Sequence, residues 1–308
     1  MKIVFMGTPE FAVPSLEALI QHHEVIGVVS QPDRPKGRGK KLVPTPVKAC
    51  ALAHQIPVFQ PDSVKEESFQ ETLRSLQPDL IAVVAFGQIL PVDILNIPPY
   101  GCINVHGSLL PFYRGAAPMQ WAVINAEEKT GVTTMYMTKG LDSGDMLLKA
   151  EIPLTSEDTY GSVHDKLSTL GADLLIQTIA GLEKQEITPI PQNHEISTYA
   201  PMITKELCHI DWSKSAEEIV HLIHGLSPVP GAYTCYGEEK WKIWNGEAIV
   251  YQGQEVPGQI ISVSKKDFMV MTGNGALKIL ELQGSGGKRM STDAYLRGHE
   301  IQAGVLLQ

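Results

Sequence analysis

Across residues 1–189, short β-rich apolar runs alternate with amphipathic stretches that open on helix-start signals, and this alternation leaves few possible architectures. Residues 2–6 and 25–29 read as strands. Between them, Thr8, Pro9 and Glu10 read as an N-cap, a first-turn proline and a first-turn acid, followed by Phe11, Leu16, Leu19 and Ile20 at helical spacing. Thr45 and Pro46 repeat the signal and open a helix to about residue 54. Residues 57–59 form a short strand, and Ser63 with Glu66 reads as a capping box for a third helix. Residues 79–85 and 102–106 are apolar strands, 132–138 and 146–152 are further strands, and 159–184 is a long helix. Such alternation predicts an α/β, Rossmann-like fold: a mostly parallel sheet with helices on both faces and a ligand site outside the strands' carboxyl ends.

The pattern changes near residue 190. Pro189, Pro191 and Pro201 punctuate a polar stretch, 190–206, that reads as a linker. Ser215 and Glu218 form another capping box. Beyond that helix come short β-rich pieces at 232–236, 240–244, 248–251, 259–263, 268–272 and 277–282, which suggest a small closed barrel or a sandwich. The expected division is 1–189, a linker at 190–206, and 207–308. The 308 residues suffice for two such domains, and 43% hydrophobic with 19% charged residues fits globular cores.

No run of eighteen apolar residues exists, and Gly7 ends the N-terminal apolar run before a signal-peptide core could form. A cytoplasmic chain without membrane contact is expected. Cys50, Cys102, Cys208 and Cys235 form no C-x-x-C pair, so reduced structural thiols are expected rather than a disulfide framework or a zinc site. His221 and His224 share a helix without a third ligand, so packing outweighs a metal role. Gly7 to Phe11 lacks the G-x-G-x-x-G of a dinucleotide site, so neither metal nor NAD is expected. Trp212, Trp241 and Trp244 are expected in the core of the second domain.

The most informative segment runs from Gly101 to Pro111. On a strand alternate side chains share a face, so Asn104 and His106 point one way and Gly107 then ends the strand. An amide and an imidazole at that position can donate hydrogen bonds to a developing oxyanion, and the imidazole can move a proton near neutral pH. Spacing alone equally allows Asn104 to cap a loop and His106 to be a packed, satisfied histidine. Gly140 and Gly144 bracket Asp142 on a loop after another strand; that carboxylate could support His106 or could be an ordinary turn aspartate.

Asn104 to Pro111, Arg114 to Pro118 and Gly140 to Asp145 resemble the motifs of the 10-formyltetrahydrofolate-dependent formyltransferases, and the resemblance extends over nearly the whole chain. It implies a catalytic set of Asn104, His106 and Asp142. It also implies a folate-binding segment at Ser108, Leu109, Leu110 and Pro111, with pteridine-pocket walls at Phe86, Gly87, Ile89 and Gly140. The expected co-substrate is 10-formyltetrahydrofolate, and the C-terminal domain is expected to be an OB-like open β-barrel. The members it resembles most act on methionine carried by initiator tRNA, as a step of translation initiation; a monomer is expected.

The segment 31–41 is rich in Pro, Gly and positive charge: Arg34, Lys36, Arg38, Lys40 and Lys41 against one acid, Asp33. On a chain of net charge −9, an isolated basic finger can steer a phosphate backbone to one place. An exposed, irregular loop is expected there, and it resembles the family's tRNA-contacting insertion, with Arg38 at the position of its key arginine. Lys288 and Arg289, in a glycine-rich turn, are candidate second contacts to tRNA. The main alternative is formyl transfer to an amino sugar nucleotide, which would not need the basic segment. A non-catalytic tRNA-binding protein would not need Asn104, His106 and Asp142.

Overall fold

The computed structural model describes residues 1–36 and 41–308, which form two compact units. The first comprises Met1–Pro118, Thr130–Ile152 and His164–Ala200; the second comprises Met119–Lys129, Pro153–Val163 and Pro201–Gln308. The chain leaves the first unit for the last time at Ala200, so residues 190–200 of the stretch expected as a linker belong to the first unit, while Met119–Lys129 and Pro153–Val163, expected in the first domain, belong to the second.

Seven strands build the sheet of the first unit: β1 (Lys2–Gly7), β2 (Glu24–Val29), β3 (Val58–Phe59), β4 (Leu80–Val84), β5 (Cys102–His106), β6 (Lys129–Tyr136) and β7 (Met146–Pro153). Their order is β7-β6-β5-β4-β1-β2-β3. The β1–β2, β1–β4, β4–β5 and β2–β3 pairs are parallel, whereas β5 and β6 are antiparallel. Ile3 to Met6 and all of β4 are buried, because helices cover both faces and the strands carry continuous apolar runs rather than alternation. The chain winds outward from β1 through β2, then returns to place β4 on the other side of β1. The crevice between β1 and β4 is therefore the switch point at which such sheets bind ligands.

Several local signals act as expected. Thr45 Oγ1 accepts the Lys48 N–H and caps the helix Pro46–Ala53, and Ser215 and Glu218 form a complete capping box on the helix Ala216–Gly225. Others do not. Thr8 donates its hydroxyl to the Phe86 carbonyl at 3.0 Å instead of capping, and the chain enters its first helix through a 3₁₀ turn, Glu10–Ala12, with no side-chain cap. Only half of the Ser63–Glu66 box forms: Glu66 Oε1 accepts the Ser63 N–H at 3.1 Å, but Ser63 Oγ accepts the Lys65 N–H, two residues on, and the third helix starts only at Glu67. The expected irregular basic loop carries a two-stranded antiparallel ribbon, Arg34–Lys36 with Lys41–Val43; pairing satisfies backbone groups that a free loop would leave to water.

In the second unit, β8 (Ala232–Tyr236), β9 (Glu239–Ile249), β10 (Ile260–Val263), β11 (Phe268–Met271) and β12 (Ala276–Gln283) form an antiparallel sheet in the order β8-β9-β12-β11-β10, with Met290–Ser291 added on β12. The two pieces expected at 240–244 and 248–251 are one strand, because shifts of register near Asn245 let it bend and continue. The order is linear, so the barrel is open rather than closed. Trp212, Trp241 and Trp244 are buried, with Trp241 stacked on Tyr236 at 4.4 Å and edge-on to Phe268. Two short helices, Pro118–Ile124 and Thr292–Leu296, had no clear sequence signal. No helix among the described residues is long and apolar enough to cross a membrane.

Candidate active site

The carboxyl end of β5 places Asn104 and His106 on one face, two residues apart, with Asn104 opposite Val83 of β4 and His106 opposite Thr133 of β6. His106 is buried, 6% exposed, and its Nε2 lies 2.8 Å from the Tyr113 carbonyl oxygen. A carbonyl only accepts, so Nε2 carries the proton and a neutral ring is left with a bare Nδ1. That Nδ1 faces Asp142 Oδ2 at 3.7 Å, an ion-pair distance if the ring is protonated. Both ring nitrogens of an imidazolium would then face an acceptor. Asn104 is half-buried, and no described residue takes up its side-chain amide.

Asp142 sits in the left-handed region, φ +44°, between Leu141 and Ser143 on the loop that joins β6 to β7. Its Oδ2 accepts the Gly115 N–H at 2.9 Å. Gly115 has φ +113°, and a Cβ there would meet the Tyr199 ring at 2.5 Å, so glycine is required where that N–H meets the carboxylate. Tyr199–Ala200 pairs in parallel with Arg114–Gly115 and holds this segment in place. Thus one tripeptide, Tyr113-Arg114-Gly115, contacts His106 through its first residue and Asp142 through its last.

The expected cofactor residues divide. Phe86 and Gly87 follow β4 and line a cavity of about 890 Å³ at the switch point, together with Thr8, Pro9, Gln31 and Arg34. Its floor is stitched by Thr8 Oγ1 and Gln31 Nε2, both donating to the Phe86 carbonyl. Ile89 is exposed and lines a separate depression with Gln31 and Lys65. Asn104, His106 and Asp142 are not on the wall of the larger cavity; they sit at the end of the neighbouring strand. Ser108 donates to the Phe112 carbonyl at 2.7 Å, and Pro111 is buried. Leu109 is half-buried and Gly140 exposed. Leu110 is wholly buried, its N–H on Thr133 Oγ1 and its carbonyl on Lys149 Nζ, so its side chain supports the segment from within rather than facing a ligand.

Of the basic residues, Arg34 is exposed on the ribbon that also includes Lys36 and Lys41, whereas Arg38 and Lys40 lie outside the described residues. Among the described residues, Asp33 has its carboxylate engaged away from the ribbon. It is bound to Lys48 Nζ at 2.6 Å and to Gln60 at 2.8 Å, and those bonds, the Lys48 one foremost, hold its carboxyl below the usual aspartate range. Lys288 is exposed, while Arg289 is engaged with Glu281 at 2.5 Å and lies 5.1 Å from the Trp244 ring centroid. The four cysteines are free thiols, with burial pushing Cys102 up to about 12. Among the described residues no His, Cys, Asp or Glu group could hold a metal ion. Sequence reasoning missed the Tyr113 carbonyl and the Gly115 N–H, because backbone groups leave no periodic mark.

Two family models match the chain: formyl transferase over residues 1–179 and formyl transferase, C-terminal domain, over 202–300. The methionyl-tRNA formyltransferase of Alkaliphilus oremlandii is 55% identical over 308 residues, covering 100% of this chain and 99% of that protein. That of Clostridioides difficile is 50% identical over 100% of both. Among solved structures, an N-formyltransferase from Helicobacter canadensis, in complex with folinic acid and dTDP-3-aminofucose, superposes with a TM-score of 0.67 at 19% identity, over 94% of this chain and 100% of that one. HypX from Aquifex aeolicus in complex with tetrahydrofolic acid gives 0.65 at 16% identity over 99% of this chain, which spans 50% of HypX. At these identities the two structures speak for the fold.

Proposed function

The chain belongs to the formyl transferase family, and from that premise we propose that it transfers the formyl group of 10-formyltetrahydrofolate to the α-amino group of methionyl initiator tRNA. The observation that carries the chemistry is the convergence of Asn104, His106 and Asp142 at the end of β5. The neutral amine attacks the formyl carbon on folate N10. The unengaged Asn104 amide donates to the oxygen as it gains charge. His106 has its Nε2–H committed to Tyr113, so its Nδ1 edge faces the reaction and takes the proton that the amine sheds. Asp142 then balances the imidazolium, which adds its charge to oxyanion stabilisation. The C–N10 bond breaks, N10 takes the proton held by the His106 imidazolium, and tetrahydrofolate leaves with His106 neutral again. These groups carry out the transfer without a metal or a covalent enzyme intermediate.

The folate lies, in this reading, along Phe86, Gly87 and Ile89, the segment Ser108, Leu109 and Pro111, which Leu110 supports from within, and Gly140. The acceptor end of the tRNA enters beside the ribbon, with Arg34, Lys36, Arg38, Lys40 and Lys41 on its phosphates and Lys288 and Arg289 as outer contacts. The division of labour is 1–189 for catalysis, 190–206 as connection and 207–308 for holding tRNA. The enzyme works as a cytoplasmic monomer. The test is direct: with 10-formyltetrahydrofolate and methionyl initiator tRNA, formylmethionine is expected, dependent on both. Formylation of a dTDP-amino sugar in preference to methionyl-tRNA would overturn the reading.

A further inference from the structure

Gln192 is a buried side chain, 4% exposed, between exposed Pro191 and Asn193. Burying a primary amide is unfavourable unless its hydrogen bonds are replaced, and here all four are. Nε2 donates to the Asp142 carbonyl at 2.9 Å and to the Gly144 carbonyl at 2.8 Å. Oε1 accepts from Arg114 Nε at 3.0 Å and Arg114 Nη2 at 2.7 Å. Two acceptors on one side and a guanidinium on the other fix the orientation of the amide, since the flipped amide would set oxygen against oxygen.

These bonds close a ring. The Asp142 backbone is held by Gln192, Gln192 by Arg114, and the next residue, Gly115, donates to the Asp142 carboxylate. Tyr113, on the other side of Arg114, holds His106. The loop is pinned at its far side too: a Cβ on Gly144 would meet the Tyr136 carbonyl at 1.9 Å, so the backbone lies flat against β6. Between these anchors Asp142 keeps a left-handed backbone, which a non-glycine residue holds only when its surroundings impose it.

We propose that Gln192 is a positioning residue that sets the Asp142 carboxylate against His106. This rests on the reading of Asp142 as part of the catalytic set. Gln192 touches neither substrate in that reading. Its loss lets the loop relax, so the chemical step slows while binding is retained. Misplacement on the order of 1 Å is enough to cost about 10²-fold in rate.

The experiment is a two-by-two set of the full chain: wild type, Gln192→Met, Asp142→Asn and the double variant, each assayed for kcat and for KM toward 10-formyltetrahydrofolate and methionyl-tRNA. Met keeps the length of the side chain and makes none of the four bonds. Gln192→Met is expected to lower kcat by about 10- to 100-fold, with both KM values within about twofold. In the Asp142→Asn background the same substitution is expected to cost less than about twofold, because the group it positions has already been disabled. Equal losses in both backgrounds, an unchanged kcat, or a loss confined to KM would overturn the proposal. If Asp142→Asn alone matches wild type, the catalytic reading of Asp142 itself fails, an outcome visible without any Gln192 variant. Gln192→Glu, which keeps Arg114 as partner but turns a carboxylate oxygen toward two carbonyls, gives the same test should the Met variant not fold; its kcat is expected to fall at least as far.

Discussion

The end of β5 and the surface of the second unit treat charge in opposite ways. At β5, His106 and Asp142 are 6% and 17% exposed, and backbone groups aim them: the Tyr113 carbonyl, the Gly115 N–H and, through the main chain of Asp142, Gln192. On the second unit, Arg289 meets Glu281, Arg297 meets Asp293 and Lys278 meets Glu247, side chain to side chain and partly in water. Exposed pairs of that kind contribute about 0–1 kcal/mol and tolerate rearrangement. Groups aimed by the backbone do not rearrange without moving the chain. The difference shows where geometry is needed, and it separates substitutions that should stop chemistry from those that should only weaken binding.

The sharpest break would come at His106. His106→Ala is expected to lower turnover by about 10² to 10⁴-fold with the thermal unfolding midpoint near that of wild type. Near wild-type turnover would reduce the site to a well-packed histidine. Asp142→Asn comes next. The amide keeps the shape and loses the charge that balances the imidazolium, so single-turnover formylation is expected to slow by about 10²-fold while folate binding by equilibrium titration stays within about twofold. Loss of folate binding instead would make Asp142 a pocket wall.

The basic residues test the other side of the comparison. Arg38→Ala is expected to lower kcat/KM for methionyl-tRNA by about tenfold, a contact in the range of about 1–3 kcal/mol, without changing folate binding. The slope of log activity against log salt should flatten by about one unit if the contact is a phosphate. Arg289→Ala should cost less, about threefold or under, because its guanidinium is already committed to Glu281. A larger loss at Arg289 than at Arg38 would move the RNA contact from the ribbon to the second unit.

The architecture was legible because burial imposes composition. Residues 80–84 must be apolar to lie between two helical layers, and Asn104 and His106 break that rule at the one end of a strand where a break is useful. The Ser215 cap was legible because its hydroxyl is given wholly to the helix start, and the Thr45 cap because its oxygen can take the Lys48 N–H while also bonding the Ser30 hydroxyl at 2.6 Å. Thr8 and Ser63 misled for the opposite reason, since Phe86, distant in sequence, and Lys65 claimed them. The support of the site was illegible in kind. Gln192 acts across about fifty residues on a main-chain carbonyl, and no local pattern distinguishes it from a linker glutamine.

The smallest effect belongs to the second unit and concerns stability. His224 sits beside a cavity of about 260 Å³; burial, foremost, pushes its pKa below 6.5, against hydrogen bonds to Ser156 and Asn245 that raise it. In the folded protein the ring therefore stays neutral to lower pH than in the unfolded chain. As pH falls through about 6.5 the unfolded chain binds its proton first, and ∂ΔG/∂pH is positive until the folded ring also protonates. The contribution of His224 is thus fully present above about pH 6.5 and is lost as pH falls from there toward the folded pKa. His221, Glu127, Glu128 and Asp158 line the same cavity, so the comparison has to be made with wild type rather than with a flat line. Unfolding midpoints measured at steps between about pH 7.5 and 5 should fall less steeply for His224→Gln than for wild type, with the two curves parallel above about pH 7. Parallel curves across the whole range would show that His224 titrates alike in the folded and unfolded chain. Formylation at neutral pH should be the same for both proteins, because His224 has no part in the site at the end of β5.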